Sequence, residues 1–209
     1  MKIKNIIFDL GGVIIDIDYK KTYQAFSQLG ATHFDHVYSQ AKQENYFDLY
    51  ETGKMSNETF RKTLQERLNI CVSDDQFDNA WNAMLGALPK ERLEFIKTLK
   101  NDYHVFLFSN TNNIHLKKVF EICFRDTGLE NFDGLFHKAY YSHLLGHRKP
   151  NREAFIHILD ENKLDANETL FVDDSPQHLV GASSVGIHTM LFTKDMQLID
   201  IRTHINKGK

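Results

Sequence analysis

The chain has 209 residues, a hydrophobic share of 42%, a charged share of 25% and a formal net charge of −3. That length supports one sizeable core, as a single domain or a domain carrying an insertion, and the composition sets aside disordered and fibrous classes. No Lys or Arg block offers nucleic acid a footprint, and no apolar run nears the roughly 20 residues that a bilayer demands.

Two cysteines, Cys71 and Cys123, support neither a disulfide framework nor a cysteine zinc site. The opening MKIKNIIFDLGGVIIDI is briefly apolar, but Asp9 and Asp16 interrupt it and no small-residue cleavage site follows. The expectation is a soluble cytoplasmic protein with no nucleic-acid or membrane partner.

The first strand candidate is IKNIIF, 3 to 8, an apolar branched run ended by Asp9 and then by Gly11 and Gly12. A crossover to a parallel neighbour takes roughly 30 residues, yet the next strand candidate begins only at 103. The excess is helical in pattern. Tyr23, Phe26 and Leu29, then Phe60, Leu64 and Leu68, then Phe77, Trp81, Met84 and Leu85 recur at helix spacing. It reads as an inserted helical cap over 17–87, entered just after Asp9 and so hanging over it, with residues 1–16 and 88–209 forming the core. Within it Tyr46, Phe47, Tyr50 and Trp81 read as packing residues, and ETGK, 51 to 54, as a turn that could face the site.

Leu93, Ile96 and Leu99 mark the next helix, followed by a second strand, YHVFLF, 103 to 108. Residues 125 to 136 read as a polar surface loop, and KAYYS, 138 to 142, as a weaker strand. Phe155, Ile158 and Leu159 mark another helix, ETLFV (168 to 172) and IHTMLF (187 to 192) are further strands, and the chain from about 195 reads as a basic, frayed tail. Strands alternating with helices predict an α/β fold on a doubly wound parallel sheet.

Open α/β sheets bind ligands beyond the carboxyl ends of their strands. There the sequence puts Asp9, then Ser109 and Asn110 from FSNTN, then Asp173 and Asp174, with Lys149 of HRKP between. Convergent carboxylates are stable as anions only around a cation, and oxygen donors favour Mg²⁺. A metal, an ammonium and a hydroxyl together cradle a phosphoryl group, with Asp9 as nucleophile. The glycines let backbone approach both, the Gly11 carbonyl serving the cation and amides, Gly12 among them, the anion.

Taken singly each residue has a plainer reading. Asp9 suits a strand-end cap, Ser109 and Asn110 a helix start, Lys149 a solvated charge, and Asp173 and Asp174 caps for a helix at Pro176. Their shared rim favours chemistry. His143 and His147 of HLLGH read as surface or satisfied histidines rather than metal ligands, for want of a third ligand.

FDLGGVI, FSNTN, RKP and FVDDS, in this order and with a helical insertion after the first, resemble the haloacid dehalogenase-like hydrolase superfamily over nearly the whole chain. Within it the sequence is most similar to the sugar-phosphatase-like branch. The resemblance implies a Rossmann-like core and Mg²⁺-dependent hydrolysis of a small phosphorylated metabolite. It makes Asp9 the residue that becomes an aspartyl-phosphate and has Ser109 bind phosphoryl oxygens with Asn110 alongside. Lys149 bridges phosphate and nucleophile, Asp174 and the Gly11 carbonyl hold Mg²⁺, and Asp173 supports them.

Gly11 departs from the pattern, since the family's phosphatases usually carry there a second aspartate that protonates the leaving alcohol. Positioned acid–base catalysis contributes about 10²- to 10⁴-fold, so turnover should fall, most for simple alkyl esters, unless Asp16, Asp18 or a cap side chain substitutes. The alternatives are a phosphate-ligand-binding or regulatory protein with an impaired site, and a haloacid dehalogenase. The acidic pair Asp173–Asp174 argues against the latter, whose chemistry uses no metal.

Overall fold

In the computed structural model, which describes residues 2–31, 34 and 45–207, five short segments form one all-parallel sheet. They are β1 (Asn5–Phe8), β2 (His104–Ser109), β3 (Lys138–Tyr141), β4 (Thr169–Asp173) and β5 (His188–Leu191), in the order β3-β2-β1-β4-β5. The central strand β1 pairs with β2 on one side, Ile6 opposite Val105, and with β4 on the other, Ile6 opposite Leu170.

The side chains of a strand alternate between faces. Ile6, Phe8, Val105, Leu107, Leu170 and Val172 meet one cluster, and Ile7, Phe106, Phe108 and Phe171 meet another. The first is covered by α5 (Lys90–Leu99) and α6 (Asn113–Thr127); the single turn α7 (Ser142–Leu145) follows β3, and the second cluster is covered by α8 (Arg152–Asn162) and α9 (Pro176–Ser183). Burial on both faces explains why the strands read as continuous apolar runs. Each fully buried side chain of this kind stabilises the fold by about 1.5–3 kcal/mol.

Between β1 and α5 lie α1 (Tyr19–Gln28), α2 (Asn45–Glu51), α3 (Asn57–Leu68) and α4 (Asp74–Asn82). Their starts are written in the sequence. Asp18 accepts from the Lys20 amide, Ser56 from that of Thr59, and Ser73 with Gln76 closes a capping box. Phe26, Phe47, Tyr50, Phe60, Leu64, Phe77 and Trp81 pack into a cluster of their own, with Tyr50 stacked on Phe60 at 3.9 Å. Met84 joins that cluster from beyond the end of α4 rather than from within the helix, and Leu85 packs against it as well as bridging to Ile17. The chain enters and leaves the helical segment side by side: the Asp16 amide donates to Ala87, that of Asp18 to Met84, and that of Gly86 to Asp16. Residues 32–33 and 35–44 of the expected insertion lie outside the described residues.

Two expectations need correction. Residues 125–127 are the last turn of α6, which Gly128 closes in the left-handed conformation, and Asp133–Leu135 form a 3₁₀ turn, so the polar loop is shorter than its composition implied. The supposed frayed tail is α10 (Asp200–Lys207), tied to the core by Leu198, Ile201 and Ile205. No helix among the described residues is long and apolar enough to cross a membrane.

The helical segment meets the sheet through His115. This residue of α6 stacks on Trp81 at 4.8 Å, and its Nε2 faces the Trp81 carbonyl at 3.1 Å. Burial pushes the imidazole down to about 4. The unfolded chain therefore takes up this proton first, near pH 6.5. The His115 contribution to stability is present above that pH and is lost as the pH falls through 4, by about 3 kcal/mol in all. Urea unfolding of wild type and His115→Gln at pH 7 and pH 4 checks this: the variant should lose about 3 kcal/mol less over that interval. Equal losses would count against it.

Candidate active site

Phe8 at the end of β1 pairs with Leu107 and Val172, and β2 runs on to Ser109 and β4 to Asp173, so these residues share one rim with Asp9. Asp9 leaves β1 with its Oδ1 2.6 Å from the Leu10 amide. Lys149 is wholly buried and its Nζ lies 2.7 Å from Asp9 Oδ1 and 2.7 Å from Asp173 Oδ2. The loop carrying Lys149 is clasped by Asn110, whose Nδ2 donates to the Lys149 carbonyl and whose Oδ1 accepts from its amide, both at 2.9 Å. Asp9, Gly11, Ser109, Asn110, Lys149 and Asp174 all line one pocket.

Asp173 is sealed beneath it. Its Oδ1 accepts from the Ser175 amide at 2.7 Å, and His178 Nδ1 lies 3.1 Å from both carboxylate oxygens. Burial opposes its charge, yet Lys149 and His178 outweigh burial and hold Asp173 down to about 2. An ionised carboxylate only accepts hydrogen bonds, so His178 Nδ1 carries the proton and donates. That nitrogen is unavailable to a metal, although Asp9, Asp173 and His178 each place a ligand atom within 4.8 Å of the others.

The remaining acids are hindered from ionising. Burial, reinforced by Asp173, pushes Asp9 up to about 8, and the same two causes push Asp174 up to about 6. Three carboxylates share Lys149, with Lys194 also acting on Asp174, and two of the three are still raised, so a cation among them relieves the remaining repulsion. Their hard oxygen donors suit Mg²⁺. The donor set fits that ion.

Some expected roles change. Gly12 adopts φ +73°, and a Cβ there would stand 2.3 Å from Asp174 Oδ2, so the missing side chain makes room for that carboxylate. The Gly12 amide, expected on the anion, donates instead to the Ile15 carbonyl at 2.8 Å. Asn110, expected on phosphate, has both side-chain polar atoms engaged by the Lys149 backbone. Ser109 and Asn110 do not begin a helix either; Asn112 is the residue that caps α6. Nor do Asp173 and Asp174 cap α9, whose capping position is Ser175.

His178 was missed. Its signal is position: it stands three residues after Ser175, where a side chain reaches back over the helix start. Of the substitutes for the aspartate absent at Gly11, Asp16 pairs with Arg92 at 2.8 Å and Asp18 caps α1, and neither lines the pocket. Tyr46, Phe47, Tyr50 and Trp81 lie in the helical cluster, off the pocket wall.

A family model described as haloacid dehalogenase-like hydrolase matches residues 3–186. The chain belongs to this family. This haloacid dehalogenase-like hydrolase is 34% identical over 187 residues, 90% of each chain, to a D-ribitol-5-phosphate phosphatase of Bacteroides thetaiotaomicron. It is also similar, at 30% identity and a TM-score of 0.89, to an aspartate-to-alanine variant of a family enzyme from the same organism, solved with magnesium and inorganic phosphate. That likeness covers 96% of this chain and 98% of the other. A predicted family hydrolase from Porphyromonas gingivalis matches at 29% identity and a TM-score of 0.89, over the full length of both.

Proposed function

We propose that this hydrolase is a Mg²⁺-dependent phosphatase acting on a small phosphorylated sugar or sugar alcohol through an aspartyl-phosphate on Asp9, in the cytoplasm. The observation that carries the reading is the Lys149 ammonium set 2.7 Å from Asp9 inside a pocket that Ser109 and Asp174 also line. The relative over 90% of both chains, named for a pentitol phosphate, supports the substrate class.

Bound among Asp9, Asp174 and the Gly11 carbonyl, the cation would supply charge neutralisation for the phosphoryl oxygens. Lys149 holds Asp9 by Oδ1, and Oδ2 accepts no hydrogen bond among the described residues, which leaves it the attacking oxygen. Ser109, at the end of β2, offers its hydroxyl to a phosphoryl oxygen. Asp173, itself held by His178, keeps Lys149 charged and aimed together with Asp9. Residues 17–87 act as the cap over the core of 1–16 and 88–209, excluding water as substrate binds.

The missing aspartate at Gly11 is the one feature favouring the second reading, a phosphate-ligand sensor with little turnover. A panel of sugar and sugar-alcohol phosphates with p-nitrophenyl phosphate, assayed with Mg²⁺ and with chelator, separates the two. Phosphate release that depends on Mg²⁺ and favours pentitol phosphates is the expected result. Saturable phosphate binding with no release from any ester would support the sensor.

A further inference from the structure

Breaking an alkyl phosphate expels a strongly basic oxygen unless something protonates it, and Gly11 has no side chain to do so. Among the described residues, the carboxylates lining the pocket are Asp9, Asp174 and Glu51. Asp9 attacks and Asp174 stands against Gly12 on the cation side. The histidines of the wall are occupied, His115 by the Trp81 carbonyl and Asn112, and His178 by Asp173. Tyr19, also on the wall, is a far weaker acid than a carboxylic acid. Glu51 is left.

Resting on the phosphatase reading above, we infer that Glu51, the last residue of α2, is the acid that protonates the leaving oxygen and the base that then activates water. It is 8% exposed, and its Oε2 accepts no hydrogen bond among the described residues. Arg148 Nη2 lies 3.1 Å from that oxygen, but the same guanidinium also pairs with Asp48. Burial outweighs Arg148 and raises the Glu51 carboxyl above its usual range, which favours the protonated form that donation requires. The turn after Glu51 is pinned to the core: Gly53, at φ +72°, packs so tightly on the His143 carbonyl that a Cβ there would come within 2.2 Å of it. This contact holds the end of α2 against the core, with Glu51 on the pocket wall.

In the first step an Asp9 oxygen bonds to phosphorus, and the ester P–O bond breaks with its electron pair going to the leaving oxygen, which takes the Glu51 proton. In the second, water bonds to phosphorus, its proton passes to Glu51, and the Asp9–phosphorus bond breaks with its electron pair returning to Asp9. Free alcohol, phosphate and the starting enzyme result.

The test compares Glu51→Gln, Glu51→Gln with Gly11→Asp, and Asp9→Asn on ribitol 5-phosphate and on p-nitrophenyl phosphate, whose leaving group needs no proton. Glu51→Gln should lower kcat on the alkyl ester by about 100-fold or more, and on the aryl ester by less than about 5-fold. Gly11→Asp requires a shift of a few tenths of an ångström from the Ile17 side chain, whose Cγ1 its Cβ would meet at 3.3 Å, and Gly11 is not in a left-handed conformation. It should restore alkyl turnover at least about tenfold in the Glu51→Gln background. Equal loss on both esters, loss on neither, or no rescue overturns the inference. Should Glu51→Gln fail to fold, the wild-type enzyme decides: rates nearly independent of leaving-group pKa support Glu51, and a steep dependence overturns it. Turnover that survives Asp9→Asn sinks the aspartyl-phosphate reading instead, and no release by wild type from either ester sinks the phosphatase reading.

Discussion

Asp9→Asn should lower phosphate release by about 10⁴-fold or more while leaving the fold intact. The substitution keeps an Oδ1 acceptor for Lys149 and for the Leu10 amide, each of which now contacts that oxygen. It replaces the attacking oxygen by an amide nitrogen with no nucleophilic lone pair. Stability is the informative control. Because burial and Asp173 push the Asp9 carboxyl up to about 8, the cation-free enzyme at neutral pH already holds much of that group uncharged. A neutral amide costs the fold little, so the melting temperature without Mg²⁺ should stay within a few degrees of wild type. Affinity for Mg²⁺ should fall, since one anionic donor is gone. Loss of activity together with a collapse in melting temperature would show that Asp9 serves packing rather than chemistry.

The strands are readable because parallel strands buried on both faces require unbroken apolar runs, and Asp9 stands out as a charge ending one of them. The order of Asp9, Ser109, Lys149 and Asp174 is readable because each follows a strand or precedes a helix, so topology alone brings them to one rim. Finer assignments fail where neighbouring residues compete for one job. FSNTNN holds several good helix caps, and only the fold shows that Asn112 serves while Asn110 turns to the Lys149 backbone.

Distance along the chain hides the rest. ETGK, 51 to 54, reads as a turn that could face the site and Glu51 does line the pocket, but it is the last residue of an aromatic helix and nothing in its local pattern assigns its carboxylate a role. His178 is invisible for the opposite reason, its partner Asp173 being so near that the pair resembles ordinary helix capping. The tail helix escaped notice because Leu198, Ile201 and Ile205 are few among polar neighbours, although they recur at helix spacing and are buried.

Lys149→Met carries the second large effect, and it is one of stability as well as rate. The wild-type ammonium has no exposure and touches two carboxylates, one of them with no exposure either. Burial opposes its charge, but Asp173 and Asp9 outweigh burial and raise its pKa above the usual lysine range. Methionine fills similar space and removes the ammonium set between the two acids, which leaves the charged Asp173 buried without its partner beside an Asp9 that is already largely uncharged. Breaking a buried pair in this way costs about 3–5 kcal/mol, or on the order of 10 °C in melting temperature for a chain of this size. The sign with pH follows from the acids left behind. Without Lys149 their pKa values rise, the folded state holds protons that the unfolded chain releases, and the deficit shrinks as pH falls towards 4. Mg²⁺ should recover part of the loss at pH 7 by taking up the charge balance at Asp9, whereas kcat should stay lowered by about 10²-fold or more because the phosphoryl group has lost its ammonium. Calorimetric melts of the variant at pH 4.5 and 7, with and without Mg²⁺, read all of this. An unchanged melting temperature at pH 7 would mean that Asp9 and Asp173 are neutralised by something other than Lys149, and the electrostatic frame of the site would have to be rebuilt around that group.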